Sequence, residues 1–203
     1  MAPMPLLQPV THPLFYMNGL LLDIEWLYSV EFQEICDHYE KQYTRHVKSL
    51  FMDTKALGVA LIIIYVLQLP MPKEELVEES QMKLKEVLLT AALMPAVEKL
   101  IYHRQKYHMP LAVVISSGFA SFEMKASRHK KFFSWFDCII LVDDPKMRNG
   151  KPDPDIFLLA YARGLSPPPV GRMCLIFEDA HNGAEVALAA RMQVVMVPDR
   201  NLH

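Results

Sequence analysis

From about residue 90 onward the chain alternates short apolar runs with stretches of helical period. LAVVI at 111–115, CIILV at 138–142, CLIF at 174–177 and VVMV at 194–197 each read as a short buried strand. Runs of this kind, without polar alternation, suit a parallel sheet covered on both faces. Helical spacing lies between them at 121–133, 153–163 and 182–190. Strand and helix therefore alternate, which predicts an α/β, doubly wound core. PPP at 167–169 predicts a stiff surface connection before the run at 174–177.

Residues 26–89 read differently. Helical periodicity recurs at 27–43, 55–67 and 73–88, the last preceded by Met71-Pro72 and opening on Lys73-Glu74-Glu75. Proline and acids are what a helix start favours. The pattern predicts a helical insertion, or cap, over 23–89, placed after a first strand at 14–17. The α/β core then comprises 1–22 and 90–203. The apolar run ALGVALIIIYVL at 56–67 is well short of the roughly 20 residues that cross a bilayer. It is expected to be a buried helix.

Composition changes little in this picture. The 203 residues are 52% hydrophobic and 22% charged, with a formal net charge of −2 and both signs mixed along the chain. Nothing in that balance calls for nucleic acid or an anionic membrane as partner. Cys36, Cys138 and Cys174 are far apart and odd in number, so no disulfide framework or zinc spacing emerges and a reducing compartment is expected. The N-terminus lacks the basic and apolar regions of a signal peptide. A soluble, cytoplasmic monomer is the expectation.

Chemistry in a doubly wound sheet gathers at the carboxyl ends of its strands. The run at 111–115 leads into Ser116-Ser117-Gly118, which is either an anion seat at a helix start or a turn with a cap. Lys151 lies between Gly150 and Pro152, placed to neutralise an anion in a cleft or to sit in a solvated loop. Glu178 and Asp179 end a buried run. Adjacent carboxylates there are costly unless a cation or backbone donors meet them. Magnesium suits oxygen ligands of this kind, and helix capping by Asp179 is the other reading.

FYMNG at 15–19, Ser116-Ser117, GKPDP at 150–154 and FEDAHNG at 177–183 resemble, in order, the four signature regions of haloacid dehalogenase-type hydrolases. The helical insertion after the first region resembles the family's cap. GLLLD at 19–23, LQLP at 67–70, KPDPDIF at 151–157 and MQVVMVPD at 192–199 are most similar to the pseudouridine-5'-phosphatase branch. The resemblance implies a HAD-like Rossmannoid core and a Mg²⁺-dependent phosphatase lineage. It also implies a phosphorylated small molecule, pseudouridine 5'-phosphate or similar, as ligand. Ser116, Ser117 and Lys151 would hold the phosphate. Glu178, Asp179 and the backbone carbonyl of Asn18 would hold Mg²⁺.

The family's first motif is Asp-x-Asp-Gly, in which one aspartate attacks phosphorus and the other serves as acid and base. Those positions are Tyr16 and Asn18 here. A phenol titrates near 10 in water, so little of it is anionic at pH 7. An amide cannot donate and recover a proton, and lost acid–base help costs on the order of 10²–10⁴ in rate. The nucleophile's loss removes the covalent route. The chain is thus expected to be a pseudoenzyme that binds phosphate without turnover. The alternatives are an active nucleotide or sugar-phosphate phosphatase with a substitute nucleophile such as Asp23, and a marginally stable product or interaction module without enzymatic activity. Pro13 beside a central strand, Arg191 where relatives carry glycine, and an edge strand exposed by the end at His203 all point to sequence drift.

Overall fold

The computed structural model describes residues 8–50, 56–146 and 171–198. They form five strands: β1 (His12–Tyr16), β2 (Ala112–Ile115), β3 (Cys138–Leu141), β4 (Cys174–Glu178) and β5 (Gln193–Met196). All pair in parallel, in the order β3-β2-β1-β4-β5. The chain builds outward from β1 through β2 to β3, then returns to the other side of β1 for β4 and β5. The strand order therefore reverses at β1, which marks the carboxyl ends of β1, β2 and β4 as the place for a site. Each predicted strand is present, shifted by one or two residues at its ends. The helix expected at 153–163 and the prolines at 167–169 lie outside the described residues.

Two side-chain sets alternate along the strands. On one face Leu14, Ala112, Val114, Ile140, Cys174 and Ile176 pack with Val186, Ala187, Ala190 and Met192, most of which belong to or follow the last helix (His181–Ala189). On the other, Phe15 stacks on Phe177 with ring centroids 4.7 Å apart and meets Phe136 edge-on at 6.3 Å. Pro13 lies inside β1, opposite Leu175. Thr11 donates its N–H to Met173 at 3.0 Å. Two residues on, on the same side, Pro13 has no hydrogen to give, so the central strand loses one ladder bond.

Eight helices accompany the strands among the described residues. α1 (Ile24–Asp37), α2 (Arg45–Ser49), α3 (Ala56–Leu67) and α4 (Lys73–Leu88) precede β2, and α5 (Val97–Lys106) leads into it. α6 (Phe119–Ala126) and α7 (Lys130–Phe133) stand where one helix over 121–133 was predicted. His129 leaves helical geometry at φ −123, and its N–H closes a turn onto Ala126 at 2.8 Å. The break turns Phe132 and Phe133 into the aromatic cluster beside Phe122 and Phe136. α8 is His181–Ala189.

The chain divides into two compact units, the described residues of Met1–Asp23 with Ala92–Pro198, and those of Ile24–Ala91. The second is all helical. Its core is Ile35, Val47, Ala60, Ile63, Leu69, Met71 and Leu76. α1 stops at Asp37, short of the predicted 27–43, because Glu40 takes a left-handed turn at φ 55. The Gln33 amide then holds the returning chain, accepting from the Tyr43 N–H at 2.9 Å and donating to Lys41 O at 3.2 Å. α3 was expected to be buried, but only one side of it is: Ala60 and Ile63 face the core while Leu57, Leu61 and Tyr65 are exposed. No described helix is long and apolar enough to cross a membrane.

Candidate active site

Tyr16 is the last residue of β1, and Ser116 follows β2 directly. The parallel register sets Tyr16 beside Val114, so the two strand ends open side by side. The Tyr16 hydroxyl donates to Ser116 Oγ at 2.9 Å. The residue standing in the nucleophile position is thus bonded to the serine expected to hold phosphate.

Two residues on, Asn18 and the turn after β2 are bridged from α6. Lys125 Nζ lies 3.4 Å from Asn18 Oδ1 and 3.3 Å from Ser117 Oγ. Lys125 is only 2% exposed. A lysine so deep is unusual, because transfer of an ammonium from water is costly unless polar groups meet it. The sequence reading passed over this residue. The signal was there: Phe122, Lys125 and Ala126 share the i, i+3, i+4 spacing that forms the buried stripe of α6. A charge on an apolar stripe marks a polar interior.

Ser116 and Ser117 do not cap α6. Its N-cap is Gly118, with no side-chain capping bond, and the Phe119 N–H goes to Asp143 Oδ2 at 2.8 Å. Gly118 lies close against it: a Cβ there would come within 2.5 Å of that same oxygen and the carboxylate would have to shift. Both serine hydroxyls are accordingly turned to Tyr16 and Lys125. Asp143 thereby fixes the start of α6.

The capping reading of Asp179 is also corrected. The N-cap of α8 is Ala180, without a side-chain bond. The carboxylate that meets backbone donors is Glu178, whose Oε2 accepts from the Asp179 N–H at 3.0 Å and the Ala180 N–H at 3.3 Å. Glu178 is fully buried, so these backbone N–H groups stand where water would otherwise meet its carboxyl group. Both carboxylates fit against glycines. A Cβ on Gly183 would lie 1.9 Å from Glu178 Oε1, and one on Gly19 would lie 2.2 Å from Asp179 Oδ2. Gly19 also holds φ +70, which closes the turn after Asn18. His181 is exposed and pairs with Glu185 at 3.2 Å.

Tyr16, Asn18, Ser116, Ser117, Lys125 and Asp179 therefore gather at the carboxyl ends of β1, β2 and β4. Asp23 ends this unit, its N–H donating to Ala92 O at 2.9 Å. Lys151 lies outside the described residues. Magnesium is the ion implied by the resemblance, with Glu178, Asp179 and the Asn18 carbonyl as its expected ligands. Glu178 and Asp179 supply carboxylates at the end of β4, and Tyr16 puts a phenol at the end of β1. Among the described residues no three His, Cys, Asp or Glu side chains stand together as a metal site.

A sequence profile described as haloacid dehalogenase-like hydrolase matches residues 14–197. The chain is 39% identical to a Drosophila melanogaster protein named "Probable pseudouridine-5'-phosphatase", over 97% of this chain and 85% of that one. It is 33% identical to an Arabidopsis thaliana protein named "(DL)-glycerol-3-phosphatase 2", over 95% of this chain and 81% of that one. A solved HAD family hydrolase from Deinococcus radiodurans, with bound phosphate and sodium, matches at a TM-score of 0.79 and 16% identity, covering 92% of this chain and 80% of that one. At that identity the likeness is one of fold.

Proposed function

The chain belongs to the haloacid dehalogenase-like hydrolases, and from that premise we propose that it is a phosphatase-lineage protein whose own site binds an oxyanion without turning it over. The observation that carries this reading is the hydrogen bond from the Tyr16 hydroxyl to Ser116 Oγ. A phenol that attacks phosphorus must first lose its proton to a base. Here that proton is directed to a serine hydroxyl, and Asn18 has no titratable group to take it. Transfer by the family's route lacks both its nucleophile and its acid–base group.

The surviving elements suit binding. Two serine hydroxyls at the end of β2 and a buried ammonium nearby supply donors and positive charge for an oxyanion. Relatives named for phosphatases of pseudouridine 5'-phosphate and glycerol 3-phosphate support a phosphorylated small molecule as ligand. The helical unit is read as a cap that selects it. We take the protein to act in a reducing, cytoplasmic setting and as a monomer.

The test is phosphate release from pseudouridine 5'-phosphate and from glycerol 3-phosphate in magnesium buffer, comparing the chain with its Tyr16→Asp/Asn18→Asp variant. The chain is expected to be silent and the variant to turn over. Release by the chain well above the buffer rate overturns the reading. A folded double variant that stays silent overturns it too, since the remaining scaffold would then not be competent.

A further inference from the structure

Phe119 is the first residue of α6 and is 59% exposed. Phe122 on the same helix, and Phe132, Phe133 and Phe136 beyond it, are all buried. Phe119, Phe122 and Ala126 fall at i, i+3 and i+7, along one side of α6. Phe122 and Ala126 reach the core there, while Phe119, one turn nearer the helix start, is left uncovered. Cα–Cβ bonds in a helix tilt toward its N-terminus, which inclines this ring toward the turn Ser116-Ser117-Gly118. The backbone beneath it is held. The Phe119 N–H donates to Asp143 Oδ2 at 2.8 Å, and the Phe122 N–H donates to Gly118 O at 3.1 Å. A large apolar ring on a fixed backbone thus borders the anion seat, with no side chain at Gly118 between them.

We infer that Phe119 is a specificity-determining residue of this site, a platform on which a planar ring of the ligand stacks while the ligand's phosphate meets the serine hydroxyls. The inference rests on the oxyanion-binding reading given above and names the ligand class: phosphate esters that carry a flat unsaturated ring, of which a nucleoside monophosphate is one. Ser116 and Phe119 are three residues apart, a stretch that spans at most about 11 Å, so one small ligand can touch both. Every base has a π-face, so a stacking platform selects for the presence of a ring and tolerates differences in its edge groups. An acyclic ester such as glycerol 3-phosphate offers the same phosphate but nothing for the ring to cover. Phe119 then separates two ligands that the serine hydroxyls alone would treat alike.

Ligand-observed NMR titrations of the chain, of Phe119→Ala and of Phe119→Trp test this, with uridine 5'-monophosphate, glycerol 3-phosphate and free uridine as probes. The chain is expected to bind the nucleotide more tightly than glycerol 3-phosphate. F119A is expected to weaken the nucleotide about 5- to 100-fold, the scale of one lost base–aromatic stack, and to leave glycerol 3-phosphate unchanged. F119W keeps the preference. Because the ring is exposed, both variants are expected to melt with the parent. Equal loss of both esters in F119A overturns the inference, as does a parent without preference or an F119A that melts well below it. The outcomes also separate this inference from the proposed function. If neither ester binds but free uridine binds the chain and not F119A, the oxyanion reading fails and the platform stands. If both esters bind and F119A changes neither, the platform fails and the oxyanion reading stands. If none of the probes binds, both fall.

Discussion

Glu31→Gln is expected to flatten a pH dependence that the helical unit of this protein carries in its core. Glu31 sits on α1, 1% exposed. Its Oε1 accepts from the Ser80 hydroxyl on α4, and its Oε2 is buried with no hydrogen-bond partner. Burial is the largest influence on its acidity and raises the pKa. Ser80 and Lys83 on α4 lower it, and Glu34 on α1 raises it, for a result of about 7 against an ordinary 4.5. Below pH 4.5 both folded and unfolded chains hold the proton, and stability is at its fullest. Between pH 4.5 and 7 the unfolded chain ionises first, so stability falls as pH rises, and above 7 the loss is complete. A displacement of that size corresponds to about 3 kcal/mol across the window. Glutamine has nothing to titrate. Urea unfolding of parent and E31Q at pH 5, 6, 7 and 8, followed by circular dichroism, reads the difference with other titrations cancelling. The parent is expected to lose ground to E31Q steadily up to about pH 7 and then run parallel. Parallel curves from pH 5 to pH 8 would refute the assignment.

Two further outcomes follow from backbone geometry. Arg191 stands at the C′ position of α8 with φ 59, where the Arg191 N–H meets Leu188 O at 2.9 Å and the Met192 N–H meets Ala187 O at 3.1 Å, a Schellman ending. Its side chain is exposed, so Arg191→Gly gains about 1 kcal/mol of stability, read as a raised melting midpoint. Gly183→Ala puts a methyl 1.9 Å from Glu178 Oε1. It is expected to destabilise by about 1–3 kcal/mol, checked by denaturant unfolding, and an unchanged midpoint would show that Glu178 does not need that space.

The strands were legible because each is a short apolar run, buried throughout in β2, nearly so in β1 and β4, and in part at the edge strands β3 and β5. α4 was legible to the residue, Lys73–Leu88, since Pro72 sets an extended N-cap and Glu74 and Glu75 fill the first turn. Where the reading was wrong, the cause was packing at a distance. Nothing local in residues 121–133 says that His129 must break the helix. The aromatic cluster under the sheet decides that, by drawing in Phe132 and Phe133. Nor does the spacing at 178–180 say which acid meets the helix start. The glycine at 183 decides it, by leaving room for Glu178 and no room for a methyl.

By itself the sequence determined the α/β alternation, the helical insertion, and the replacement of two motif aspartates by Tyr16 and Asn18, since these depend on residue type and on period along the chain. The tertiary structure alone decided what those replacements touch. The Tyr16 hydroxyl meets Ser116 across 100 residues of chain, and Lys125 meets Asn18 across 107. Pairing of parallel strands sets such distances, because register between strands brings together side chains whose separation along the chain carries no local signal.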